Sequence, residues 1–96
     1  MASEYIVYST PCFNRLAEDL ARHHQEFIRA YERTIEILER DPLNRNRDRD
    51  IKKLEDVDAG DARYRLRIGR FRFRYDVAED KVVLKWCGLR REDTYR

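Results

Sequence analysis

The spacing of apolar positions changes twice along the chain, and each change marks a new kind of element. Residues 4–9, "EYIVYS", form a short β-branched and aromatic run that predicts an opening strand. Thr10 then precedes Pro11, a cap followed by a proline in the first helical turn, where the missing N–H costs nothing. Phe13, Leu16, Ala17 and Leu20 recur three and four apart and give this helix one apolar face. After His23-His24 the phase shifts. Phe27, Ile28, Tyr31, Ile35 and Leu38 run at helical spacing to Asp41-Pro42, where the proline ends the helix and Glu36 supports Arg40 as a pair four apart. A helical hairpin satisfies this pattern; so does one continuous bent helix, because no glycine marks the break. "NRNRDRD", residues 44–50, carries no periodic apolar residue and reads as a solvated loop. "IKKL" follows as a brief strand-like piece, and "EDVDAGDA" as an acidic turn region containing Gly60.

From Arg63 the period becomes two. Tyr64, Leu66 and Ile68 alternate with Arg63, Arg65 and Arg67; beyond Gly69-Arg70, Phe71, Phe73, Tyr75 and Val77 alternate with Arg72, Arg74 and Asp76. A glycine followed by one residue suits a two-residue type II′ turn. The turn predicts a register of Ile68 opposite Phe71, Arg67 opposite Arg72, Leu66 opposite Phe73, Arg65 opposite Arg74 and Tyr64 opposite Tyr75. A second turn at Glu79-Asp80 places Val82, Leu84 and Trp86 on the apolar face, with Lys85 and Cys87 on the other. The order of elements predicts a single α+β domain over residues 1–96: an N-terminal strand, a helical hairpin and an antiparallel sheet (βααβββ-type) with the helices on one sheet face.

Charge sharpens this picture. Residues 1–62 hold 10 Lys and Arg against 14 Asp and Glu, a net of −4, whereas residues 63–96 hold 11 against 5, a net of +6. "RYRLRIGRFRFRY", residues 63–75, contains six of those arginines. With the helices on the apolar face, the opposite face is expected to carry two cross-strand rows, Arg65-Arg74-Lys85 and Arg67-Arg72-Cys87, with Asp76 as its only acid within these strands. Like charges directly opposite each other destabilise a sheet. A surface of this kind fits a polyanion, and guanidinium groups make bidentate phosphate contacts. No duplex-reading helix and no RNP-like motif accompanies it, so a single strand or folded backbone fits better than a major groove. Arg63 and Arg70, at the ends of the hairpin, read as solvated. In the tail "GLRREDTYR", Tyr95 is either a packed anchor for the chain end or a phenol aimed at the basic surface.

Other chemistry is sparse. Cys12 and Cys87 stand in no CxxC or CxxH pattern and read as reduced thiols. The adjacent His23 and His24 point about 100° apart on a helix and do not share one metal. No metal and no cofactor is expected. The apolar runs are too short for a spanning helix and the N-terminus lacks a basic region followed by an apolar stretch, so the expectation is a soluble, cytoplasmic protein with no membrane contact.

The stretch "IKKLEDVDAGDARYRLRIGRFRFRYDV", then "VVLKW", then "LRREDTY", resembles the signature half of the RelE/ParE superfamily of toxins from type II toxin-antitoxin systems, and the helical pair matches in order and length. RelE-like members are ribosome-dependent, metal-independent mRNA endoribonucleases that inhibit translation by attack of a ribose 2′-OH on the adjacent phosphate. By that resemblance Arg72 matches the arginine holding the scissile phosphate, Arg91 the arginine near the leaving group, and Tyr95 the terminal tyrosine. Arg65 and Arg67 match sheet positions that hold lysines in some relatives, and Arg90 stands where many have histidine. The resemblance thus implies Arg67, Arg72, Arg91 and Tyr95 as catalytic residues, and Arg65, Arg74, Lys85 and Arg90 as RNA or phosphate contacts. Arginine stays protonated at neutral pH, so the proton acceptor for the 2′-OH falls to Tyr95 or Glu92. The implied partners are a cognate antitoxin with an acidic arm, the ribosome with its mRNA, and operator DNA through the antitoxin. ParE-like relatives use the same scaffold to inhibit DNA gyrase; a non-catalytic nucleic-acid-binding homologue is the remaining alternative.

Overall fold

A computed structural model describes residues 4–58 and 60–89. Thr10 opens the first helix as its sequence requires: it is extended (φ −86°, ψ 160°), its Oγ1 accepts from the Phe13 N–H at 3.1 Å, and Pro11 follows in the first turn. This helix, α1, spans Pro11–His23 after strand β1, Ile6–Ser9. It ends without a glycine because His24 turns extended (φ −139°) while its N–H still reaches the Leu20 carbonyl at 2.8 Å. The next helix, α2, spans Glu26–Arg40, so the break separates two helices. No described helix is long and apolar enough to cross a membrane.

The buried stripe of α2 is Phe27, Ala30, Thr34, Ile37 and Leu38. Ile28, expected on that stripe, is instead 53% exposed. It lies about 100° around the helix from Phe27, off the edge of the arc that Ala30, Thr34 and Leu38 define. Thr34 is tolerated inside because its hydroxyl donates to the Ala30 carbonyl at 2.9 Å.

Four more strands follow: β2 (Ile51–Lys53), β3 (Tyr64–Ile68), β4 (Phe71–Ala78) and β5 (Lys81–Leu89). The sheet order is β1-β5-β4-β3-β2, with β1 parallel to β5 and all other neighbours antiparallel. The two helices pack on one face, where Phe13, Phe27 and Tyr31 meet Phe71 and Phe73 with ring centroids 5.3–6.5 Å apart. Tyr75 is buried among them and donates to the Pro42 carbonyl at 2.7 Å, tying β4 to the end of α2. Burial pushes this phenol well above its ordinary pKa, so it is a structural hydroxyl.

The β3–β4 hairpin has the expected register at every pair, with Gly69 at φ +58° supplying the positive φ that the turn needs at its first central position. The β4–β5 pairing departs from expectation. Arg74 faces Trp86 while Tyr75 faces Leu84, so Lys85 is an extra residue and forms a β-bulge. One inserted residue reverses the alternation beyond it. Cys87 therefore faces Phe73 in the core, 2% exposed, and Trp86, expected in the core, is half-buried on the arginine face. The two rows become Arg65-Arg74-Trp86 and Arg67-Arg72-Gly88 in place of those ending at Lys85 and Cys87.

Candidate nucleic-acid interface

The strands that carry the arginines also sort them. Alternation sends Arg65, Arg67, Arg72 and Arg74 to the face away from the helices, and β2 adds Lys52 directly beside Arg65. Arg65, Arg67 and Arg72 converge with Lys52 and Leu54 on a concave pocket of about 350 Å³. Three fixed guanidinium groups and an ammonium around one hollow form a site for a compact polyanionic group.

A close counter-charge is Asp50, from the loop just before β2. The Asp50 carbonyl accepts the Arg67 backbone N–H at 3.0 Å, which fixes the residue at the rim. Its carboxylate lies 3.0 Å from Arg67 Nε and 3.5 Å from Arg65 Nη1. Those two nitrogens are nevertheless buried and make no hydrogen bond of acceptable geometry, so Asp50 balances charge without satisfying the donors. The Asp50 side chain is 52% exposed, whereas that of Arg65 is 9% exposed. Burial pulls Arg65 below the usual guanidinium pKa, Asp50 opposes this, and Arg67 and Arg72 add to it. The pocket thus holds positive charge under mutual repulsion with donors left to give.

The remaining cations have other tasks. Arg74 donates through Nε and Nη2 to the Ala62 carbonyl at 3.2 and 2.9 Å. Arg63 Nε donates to the Val57 carbonyl at 2.8 Å. Lys85 reaches Asp76 at 3.2 Å and also donates to the Gly60 carbonyl. Asp76 completes this clamp by accepting the N–H groups of Gly60, Ala62 and Arg63 at 2.8–3.2 Å. Burial tends to raise the Asp76 pKa, but the Arg63 and Ala62 amides, Lys85 and the Gly60 amide together lower it. Arg70, at the hairpin tip, contacts Glu26 at 2.7 Å and donates to His24 Nδ1 at 2.8 Å, docking the turn onto the break between the helices.

Of the expected site residues, the structure brings Arg65, Arg67 and Arg72 together and places Arg74 and Lys85 on the same face, engaged with the 60–63 loop. Arg63 and Arg70, expected to be solvated, both hold other segments. Arg90, Arg91, Glu92 and Tyr95 lie outside the described residues. Sequence reasoning missed Lys52, although its position in the "IKKL" strand carries the signal: pairing β2 antiparallel to β3 sets it beside Arg65. It also missed Asp50, which no local pattern distinguishes from the other acids of its loop. Among the described residues no group of three or more His, Cys, Asp or Glu side chains is placed to hold a metal.

The fold is similar to that in the crystal structure of the archaeal RelE-RelB complex from Pyrococcus horikoshii OT3, with a TM-score of 0.61 and 26% sequence identity, covering 91% of this chain and 96% of that chain. No family model matches the sequence, and neither does any curated protein.

Proposed function

From the premise that this chain has a RelE-like toxin fold, we propose that it is the toxin of a toxin-antitoxin pair and cuts mRNA on the ribosome. The observation that carries the reading is the convergence of Arg65, Arg67 and Arg72 on one hollow of the sheet, with donors that Asp50 does not satisfy. A scissile phosphodiester seated there receives guanidinium donors from two strands. As the 2′-oxygen bonds to phosphorus, negative charge grows on the non-bridging oxygens, and Arg67 and Arg72 stabilise it without having to reorganise. The bond from phosphorus to the 5′-oxygen then breaks, leaving a 2′,3′-cyclic phosphate and a 5′-hydroxyl. Arg91 stabilises that leaving oxygen, which takes a proton from solvent, and Tyr95 or Glu92 takes the 2′-OH proton. Arg74, Lys85 and Arg90 add positive charge along the RNA backbone.

The antitoxin of this reading carries an acidic arm that covers the arginine face, and connects the pair to operator DNA. Primer extension on translated mRNA after induction tests the nuclease: codon-phased cuts are expected. Normal translation without cuts sinks it, and a change in plasmid supercoiling with gyrase co-purification would transfer the chain to the gyrase-inhibiting class.

A further inference from the structure

The bulge at Lys85 has put the chain's single tryptophan on the arginine face, where no described residue gives it a ring contact or hydrogen bond. Trp86 is half-buried and belongs to no part of the core cluster. A tryptophan left in that state beside a cationic hollow is unusual, because indoles are normally packed or given a partner for their N–H.

Its neighbours say what it fits. Trp86 is in register with Arg74, and two residues on, Gly88 is in register with Arg72. Diagonal neighbours across an antiparallel pair lie about 7–8 Å apart, within reach of an aromatic side chain. Gly88 contributes no side chain and is itself buried, so the nearest described β5 side chain on the face of Arg72 is Trp86. The face therefore offers guanidinium groups at Arg67 and Arg72 and, one diagonal step away on β5, a flat apolar ring. A nucleotide likewise pairs a phosphate with a base whose flat face lies about one side-chain length away.

We infer that Trp86 is a stacking platform for the nucleobase flanking the phosphate held by Arg67 and Arg72, a positioning residue for single-stranded RNA. This rests on the nuclease reading above and adds the base to it. An apolar protein segment could also cover an indole, but adjacency to the cationic hollow favours the base.

The lone tryptophan makes the test direct. A short 2′-O-methyl RNA oligonucleotide, which cannot be cut, is titrated into the full chain while its own label reports anisotropy and the indole reports quenching. Binding with quenching is expected, together with a loss of roughly 5- to 150-fold in affinity for Trp86→Ala, largely recovered in Trp86→Phe. An oligonucleotide lacking the flanking base should bind the wild type as weakly as the intact one binds Trp86→Ala, with no further loss when both are removed. The salt dependence should be unchanged in Trp86→Ala and shallower by about 0.7 in Arg67→Gln, since only the latter contacts phosphate. Binding without quenching, or equal losses for intact and base-lacking oligonucleotides, overturns the platform and leaves the nuclease reading standing. A loss confined to a protein partner does the same. No oligonucleotide binding at all overturns the platform, whereas absence of codon-phased cuts in cells is what overturns the nuclease.

Discussion

Replacing Asp50 by Asn should make the protein less stable and a better RNA binder at once. The carboxylate is a close counter-charge of Arg65 and Arg67, at 3.5 and 3.0 Å, and it is half in water. Exposed pairs contribute about 0.2–1 kcal/mol each. Two pairs sharing one carboxylate amount to about 1 kcal/mol, which for a domain of this size lowers Tm by about 4–8 °C. The same carboxylate repels an incoming phosphate, so its neutralisation should tighten binding about three- to fivefold at low salt, with the gain fading as salt screens it. Asn preserves the shape, and the Asp50 carbonyl that fixes the rim is unchanged. Thermal unfolding by circular dichroism and anisotropy with a 2′-O-methyl RNA oligonucleotide give the two numbers on one sample. A folded Asp50→Asn protein that binds RNA more weakly than wild type would refute the argument that Asp50 and phosphate compete for these guanidinium groups.

Three further outcomes follow from particular contacts. Asp76→Asn removes a charged acceptor from three backbone amides and Lys85, and should cost about 2 kcal/mol near neutral pH. Because the folded Asp76 pKa is lowered, that contribution is full above the unfolded carboxylate pKa of about 3.9 and vanishes as pH falls through the folded value; melting curves of mutant and wild type should converge in acid, and a pH-independent gap would contradict this. Trp86→Gln should fold within about 1 kcal/mol of wild type while Cys87→Asp, a charge in the core, should be destabilised by several, as urea titrations will show; the reverse order would deny the bulge. Tyr95→Phe should cut mRNA much more slowly than wild type in the translated primer-extension assay if its phenol moves the proton, and full activity would remove it from that role.

What could be read in advance depended on how local its cause was. The α1 start and the β3–β4 register are set by a few neighbouring residues, Thr10-Pro11 and Gly69 within strict alternation, and both stand as expected. The helix break needed no glycine because an extended His24 suffices, which the phase shift after His23 had marked. The bulge left no such mark: "VVLKWC" alternates plausibly in either phase, and only the fit of Tyr75 against Leu84 and of Cys87 against Phe73 decides where the extra residue falls. Ile28 was misplaced for a related reason, since the centre of a helical stripe is set by the sheet it meets. The site was half legible. Alternation collected Arg65, Arg67 and Arg72, but their separation from Arg63, Arg70 and Arg74 depends on carbonyl and carboxylate partners far away in the chain.

The central claim is that the hollow lined by Arg65, Arg67 and Arg72 holds a phosphodiester while it is cleaved. Purified protein, ribosomes and a programmed mRNA test it most directly, with the cut ends analysed chemically. Wild type should produce 2′,3′-cyclic phosphate ends at one position within each codon, and Arg72→Ala, folded by circular dichroism, should lose at least a hundredfold in rate. Cleavage by Arg72→Ala at the wild-type rate, or intact mRNA with the wild-type protein, would contradict it.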